Sequence, residues 1–379
     1  MFLDVRKDQQ GPIGCSDEQA DLLESAAGFC ADKSPIATVR RLLEDELGYD
    51  PDVFAEMADL GWLGVAVPEA YGGIGLGLAE VVPVVEQMGR HLMAGPFLPT
   101  TLAAQMLLAA GTEDHKAELL PALVGGAPAT VALAEPHGDF DPLRIDCTAS
   151  REGDALCLSG TKCLVLDAPA ASWLIASVLL EGAPALVLLR ADDIAQASPR
   201  RENVIDETRR AFRLDLDGLR LPVSSLLDQA AASEVLHAVN LLGGLLASAE
   251  MCGAGHSCVA YTVDYLTTRK QFGRLIGSYQ ALKHPTVEAH VKVEQARSHL
   301  YAAAHTFGQE TEGEIAVRMA KATCGPALAF AADRSIQFHG GFGFTYECDA
   351  QLYRRRALWG ESQFGDAVYH RQLLAGLIL

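Results

Sequence analysis

The chain has 379 residues, more than one ordinary domain of roughly 100–200 residues holds, so two or three domains share it. Hydrophobic residues make up 49% and charged residues 21%, which excludes disordered and collagen-like chains and describes a compact soluble protein. With 49 acidic against 30 basic residues the formal net charge is -19, which leaves no electrostatic footprint for nucleic acid or an anionic membrane surface.

The opening MFLDVRKDQQ carries charges where a signal peptide needs its apolar stretch, and no uninterrupted apolar run reaches the ~18 residues that span a bilayer. A cytoplasmic chain is expected. From Asp17 to about Leu120 apolar residues recur at three and four, as in Val53, Met57, Leu60 and in Leu78, Val81, Val82, Val85, Met88, which lines one helix face. Gly and Pro clusters break this run at Pro68 to Gly77 and at Gly95 to Pro99, with a new helix expected from Thr100. Between about Ala129 and Leu226 the texture changes to short runs such as ALCLSG, KCLVLD, SWLIASVLL, PALVLLR and FRLDLDGLRL, the last alternating over Phe212, Leu214 and Leu216. No helix-length segment separates them, which argues a barrel or sandwich rather than a doubly wound sheet. Long helical patterns return over Val235 to Thr268, Tyr279 to Gly308 and Glu312 to Phe338. The expected organisation is an α+β multidomain chain: an N-terminal helical domain over 1–128, a middle β domain over 129–228 and a C-terminal helical bundle over 229–379.

The nine cysteines are scattered, without C-x-x-C spacing, and read as buried free thiols in a reducing compartment rather than a disulfide frame or metal site. Gly72, Gly73, Gly75 and Gly77 lack the dinucleotide fingerprint's third Gly, since Leu78 occupies its place, and read as a tight connection. Two other stretches are candidate binding elements. Arg269, Lys270, Gln271, Phe272, Gly273 reads as the close of a long helix, with cations complementing its dipole and Gly stopping it. His339 with Gly340, Gly341 and Gly343 comes after a helix expected to end near Phe338, and its glycines would let a ligand approach the backbone. If the two ends met, Arg269 could pair with a pyrophosphate and Phe272 contact a flat heterocycle. The run Arg354, Arg355, Arg356 reads as a solvated or salt-bridged helix face.

In their order, GWLGVAVPEAYGG (Gly61 to Gly73), AEP (Ala134 to Pro136), GTK (Gly160 to Lys162), RKQFG (Arg269 to Gly273), Tyr279-Gln280-Ala281 and QFHGGFGFTYE (Gln337 to Glu347) resemble the acyl-CoA dehydrogenase family. The resemblance spans nearly the whole chain. It implies FAD at a subunit interface, with the flavin ring on one subunit's strand domain. The neighbour's Arg269, Gln271, Phe272, Gln337, Gly340, Gly341 and Gly343 would then hold the pyrophosphate and adenosine half. The implied reaction is removal of the α-proton of an acyl-CoA thioester by a Glu, with hydride passing from the β-carbon to the flavin.

The two positions at which the family carries that Glu fall on Phe364 and Gly243, neither of which can take a proton. Flavin-side motifs depart as well: the family's Thr-Glu-Pro reads Ala134-Glu135-Pro136, its Gly-Ser-Asp reads Asp139-Phe140-Asp141, and its aromatic-Ile-Thr reads Leu164-Val165-Leu166. The losses fall on one side of the implied site. They point to a non-catalytic subunit that completes the FAD site of a paralogous chain in an α2β2 enzyme. The alternatives are a homotetramer with a relocated base, Glu361 or Asp366, and a flavin-free acyl-CoA-binding scaffold.

Overall fold

The computed structural model describes residues 16–379, so Cys15 and the opening segment lie outside the described residues. Helices come first: α1 (Asp17–Lys33), α2 (Ile36–Leu43), α3 (Pro51–Asp59), α4 (Val81–Arg90), α5 (Phe97–Ala110) and α6 (Glu113–Val124). Strands come next: β1 (Ala129–Ala132), β2 (Thr148–Glu152), β3 (Ala155–Ser159), β4 (Thr161–Leu166), β5 (Trp173–Leu180) and β6 (Ala183–Arg190), then β7 (Arg200–Glu202), β8 (Ala211–Asp215) and β9 (Arg220–Pro222). The six-residue α7 (Ala191–Gln196) and a three-residue helical turn at Ala168–Ala170 interrupt them. The C-terminal part holds α8 (Ala232–Thr268), the short pair β10 (Lys270–Gln271) and β11 (Arg274–Leu275), α9 (Gln280–Thr306), α10 (Glu310–His339), α11 (Ala350–Ser362) and α12 (Ala367–Ile378). This is the expected architecture of helical ends around a strand domain. One start differs: α5 begins at Phe97, not Thr100, because Pro99 in a first turn gives up an N–H that has no helical partner there anyway.

The chain forms two compact units that do not follow chain order. One comprises Leu42–Gly77 and Ala94–Gly243 and contains all nine strands of the middle region. Its larger sheet runs β1-β5-β2-β3-β9 with β6 also on β5, and its smaller sheet runs β4-β8-β7. The smaller sheet is antiparallel throughout, whereas β5 takes β1 and β2 in parallel and β6 in antiparallel register from Trp173↔Arg190 to Leu180↔Ala183. Leu214 of β8 is fully buried between solvent-facing Arg213 and Asp215, as its alternation demands. Arg210 is buried and donates to the carbonyls of Leu42, Leu43, Asp45, Glu46, Glu207 and Arg209, so one guanidinium organises an irregular stretch that has no ladder of its own. The Pro68–Gly77 segment is the expected tight connection: a Cβ on Gly73 would lie 1.9 Å from the Val67 carbonyl oxygen.

The other unit comprises the described chain up to Arg41, Leu78–Met93 and Gly244–Leu379. Here α4 crosses α8 at backbone contact. A Cβ on Gly89 would lie 2.1 Å from the Glu250 carbonyl oxygen, and one on Gly253 would lie 1.8 Å from that of Glu86. Buried charges flank the crossing. Glu86 accepts from Arg297 Nε (2.7 Å) and Tyr301 Oη (2.6 Å), and Arg356 Nη1 lies 3.1 Å from Glu250. Burial pushes the Glu86 carboxyl upward, but Arg297 and Tyr301 prevail and hold it below its usual range. Of the solvated and salt-bridged readings of the arginine run, the salt-bridged one holds: wholly buried Arg356 pairs with Glu250, Arg354 pairs with Asp333 at 2.6 Å, and Arg355 stacks over the Tyr346 ring.

The segment Gln229–Thr268 is long and apolar enough by composition to cross a membrane, yet 83% of its most apolar window is buried inside the protein, as suits a core helix. All eight described cysteines are free, and seven are buried. The backbone contact at the crossing leaves no room for a methyl group. Gly253→Ala should therefore cost at least about 1–3 kcal/mol in denaturant unfolding. Gly376→Ala, where an added Cβ meets nothing within 4 Å, should be neutral or gain up to about 1 kcal/mol.

Candidate functional site

Helix α8 runs to Thr268, and Arg269 closes it through its N–H to the Tyr265 carbonyl (2.9 Å). The residues after Arg269 do not form the helix stop expected from RKQFG. Lys270 and Gln271 pair antiparallel with Leu275 and Arg274, and Phe272 (φ 53°) and Gly273 (φ 80°) form the two-residue turn between them. Positive φ at both central positions is what a tight hairpin of this kind requires, so Gly273 serves a strand reversal rather than a helix C-cap. Phe272 holds this conformation while 90% exposed, its ring edge-on to Tyr279 at 6.4 Å.

The second element starts where α10 stops. His339 is its last residue, one beyond the expected end, and Gly340 takes φ 63° and ψ -141°, a backbone state that only glycine reaches without cost. Gly343 folds the turn back onto its own helix, since a Cβ there would lie 2.1 Å from the Ile336 carbonyl oxygen. Gly341 has neither reason to be glycine: its φ is ordinary, and an added Cβ would meet nothing within 4 Å among the described residues. Gln337 is exposed, and its carbonyl accepts the Gly340 N–H.

These two elements meet. Arg269, Gln271, Phe272, His339, Gly340 and Gly341 line one cavity of about 430 Å³, together with Tyr265, Ile276, Tyr279, Leu282, Phe338 and Phe342. Gln337 and Gly343 lie outside that lining. Residues that the sequence did not single out form much of the wall. His339 is buried and stacks on Tyr265 (4.1 Å) and on Tyr261 (4.8 Å), which stand one helical turn apart on α8. Its Nδ1 lies 2.8 Å from the Ser335 carbonyl, which can only accept, so the proton sits on Nδ1. Burial holds this imidazole below its ordinary pKa, hence neutral. The cavity thus combines an exposed guanidinium, flat aromatic walls and a glycine turn without side chains, a donor set suited to an anion joined to a planar ring.

Position 364 lies in the link between α11 and α12. Phe364 is half-buried with φ 55°, and its carbonyl accepts from His370 Nε2 (2.9 Å). Buried Lys321 donates to the carbonyls of Glu361 (3.1 Å) and Gly365 (2.6 Å), and burial brings its pKa down to about 8. Asp366 Oδ1 caps α12 by accepting from the Tyr369 N–H (2.7 Å), and the Glu361 side chain lies along α10 against Gly325. Gly243 is buried within α8.

In the strand unit two of the quoted motifs join. Glu135 of AEP and Lys162 of GTK form a buried ion pair at 2.5 Å, Lys162 also reaches Ser177 Oγ, and Glu135 accepts the N–H groups of Asp146 and Cys147. Ala134 is exposed, Leu166 is half-buried, and Leu164 stands 39% exposed at a bulge in β4 with φ 52°. Asp139, in the place of the family's Gly, pairs with Arg144 at 2.6 Å.

Comparison with known proteins places the chain in a family. Residues 16–127 match the family model "Acyl-CoA dehydrogenase, N-terminal domain", and residues 242–378 match "Acyl-CoA dehydrogenase, C-terminal domain". The chain is 30% identical over 348 residues to acyl-CoA dehydrogenase IpdE2 of Mycobacterium tuberculosis, covering 90% of this chain and 91% of that one. Among solved structures it is similar to a Tcur3481-Tcur3483 steroid ACAD variant, with 30% identity, TM-score 0.84 and coverage of 95% and 97%. It also shares its fold with the ChsE4-ChsE5 complex from Mycobacterium tuberculosis, with 24% identity, TM-score 0.87 and coverage of 96% and 97%.

The link carrying Phe364 should be pH-sensitive through His370. Burial, aided by Lys321, depresses its pKa to about 4, so between about pH 6.5 and pH 4 the unfolded chain takes up a proton that the folded chain refuses. Stability falls as pH drops through that window, with a His370 share of up to about 3 kcal/mol. In chemical denaturation from pH 7.5 to 4, His370→Gln should show a shallower loss than wild type; an unchanged slope would place the titration elsewhere.

Proposed function

This chain belongs to the acyl-CoA dehydrogenase family, and we propose that within it the chain is the non-catalytic subunit of a heteromeric enzyme for α,β-dehydrogenation of an acyl-CoA thioester. It lends a dinucleotide clamp to a paralogous chain that owns the flavin pocket and the catalytic Glu. The observation that carries this reading is Gly341. Neither its backbone conformation nor its neighbours require glycine, yet it lines the cavity where Arg269 and the aromatic walls converge. A ligand backbone or phosphate approaching from outside accounts for a missing side chain there.

Members of the family ordinarily bind FAD, which when bound accepts hydride from the substrate β-carbon. Arg269 offers a planar fork of N–H donors to the pyrophosphate, and the walls formed by Phe272, Tyr265 and Phe342 suit the adenine. Phe272, Phe342, Phe344 and Tyr346 are 90%, 45%, 75% and 52% exposed, an apolar rim that suits burial against a partner. On the strand side, Leu164 and Leu166 supply no hydroxyl donor, and in the link between α11 and α12 Phe364 supplies no base. Asp366 is engaged as the cap of α12, which argues against its use as a relocated base. The heteromeric steroid relative suggests a bulky CoA thioester as substrate, and the free thiols suit a reducing cytoplasm.

Two measurements test this. Arg269→Ala should weaken FAD binding by about 1.5–3 kcal/mol, the worth of a charge-assisted hydrogen bond; wild-type affinity in that variant would reduce the motif to a hairpin. The chain purified with its paralogous partner should hold two FAD per four chains and turn over acyl-CoA, whereas alone it should be inactive. Four FAD per tetramer, or turnover by the pure homomer, would refute the partner-subunit reading.

A further inference from the structure

Between the glycine turn and α11, residues 344–349 belong to no helix or strand. The turn bonds within 340–349 are local: Gly343 N–H to Gly340, Thr345 N–H to Phe342 and Cys348 N–H to Thr345 carbonyls. Such bonds shape the segment but do not fix it to the body of the protein. At its N-terminal end the stacking of His339 on Tyr261 and Tyr265 provides that attachment. At its C-terminal end, buried Cys348 lies with its Sγ 3.6 Å from Tyr261 Oη, and a further attachment comes from about 300 residues away in the chain.

Arg40, on α2, inserts its guanidinium into this end. Nη1 donates to the Tyr346 carbonyl (2.8 Å), Nη2 to the Glu347 carbonyl (3.0 Å), and Nε and Nη2 both reach Asp349 Oδ1 (3.0 and 2.6 Å). The side chains of Arg40 and Asp349 are 27% and 20% exposed, so water screens the pair only in part. Asp349 also donates its backbone N–H to Tyr261 Oη (3.4 Å), and Tyr261 carries the ring on which His339 stacks. Both ends of the segment are thereby referred to one residue of α8. Three donor nitrogens in a fixed plane meeting three separate acceptors is a geometry that only arginine supplies.

We propose that Arg40 is a positioning residue for the dinucleotide cradle: through Tyr346, Glu347 and Asp349 it holds the Gly340–Gly343 turn in its binding conformation before a ligand arrives. It touches no ligand itself. The inference rests on reading the cavity as a dinucleotide clamp, and it adds a requirement that neither sequence motif contains. Its physical basis is preorganisation, since a turn ordered in advance does not charge its ordering entropy to binding.

The test is hydrogen exchange by mass spectrometry on the full chain, following peptides that cover residues 340–349, with ADP and FAD titrations in parallel on its complex with the paralogous partner. In Arg40→Gln, exchange over 340–349 should rise while α9 and the strand unit keep wild-type protection, and affinity for both nucleotides should fall about tenfold. Arg40→Lys, which keeps the charge but lacks the fork, should loosen the segment to an intermediate degree and covers the case in which the Gln variant does not fold. Unchanged exchange over 340–349 overturns the clamp, and raised exchange with wild-type nucleotide affinity overturns its positioning role. If the wild-type complex binds neither ADP nor FAD, the dinucleotide reading fails and takes the positioning role with it, while the exchange data still report whether Arg40 anchors the turn.

Discussion

Helices α4 and α8 touch backbone to backbone, and the helical unit is built outward from that contact. Gly89 faces the Glu250 peptide and Gly253 faces the Glu86 peptide, so neither helix has a side chain to cushion the approach. Gly253, in the interior of α8, costs roughly 1 kcal/mol in propensity relative to alanine, a cost offset by dispersion and burial across the contact. Glu86 and Glu250 sit beside those same peptides and hold Arg297 of α9 and Arg356 of α11. The crossing therefore fixes α9 and α11 as well as α4, and with them the direction in which the last turns of α8 project.

That direction places Tyr261, Tyr265 and Arg269. The two tyrosines, a turn apart, offer their rings to His339 at the end of α10, and the hairpin after Arg269 carries Phe272 and Tyr279 to the opposite wall. The cavity is a meeting of two helix ends, each terminated by residues at positive φ: Phe272 and Gly273 on one, Gly340 on the other. Of these only Phe272 bears a side chain, and a non-glycine residue held at positive φ commonly marks a functional site.

The strand unit is arranged differently. Its internal charges are consumed in structure: Glu135 with Lys162, and Arg210 on six carbonyls. Its half-exposed positions at the AEP motif and at the β4 bulge are apolar, Ala134, Leu164 and Leu166. The candidate binding groups thus lie on the helical unit, while the strand unit keeps its framework with apolar residues at these positions. This asymmetry is the physical content of the partner-subunit reading.

Helix and strand periodicity made the element order and type legible in the sequence, because burial of one face imposes spacings of three and four or of two wherever an element packs on a core. The candidate cofactor-binding motifs were legible as residue strings. The strings did not disclose conformation or company. RKQFG fits a helix end as well as a hairpin, since Gly tolerates positive φ in both, and only the pairing of Lys270 with Leu275 chose between them. Arg356 stands in a run of three arginines that resembles a wet face, but Glu250, a hundred residues upstream, takes it into the core. Arg40 carried no signal at all, because its role depends on carbonyl groups, which every residue possesses and no sequence pattern marks. By itself the sequence determined the elements and the chemical groups available. Tertiary structure decided which of those groups meet, because contacts between residues far apart in the chain arise from helix crossings that local periodicity does not encode.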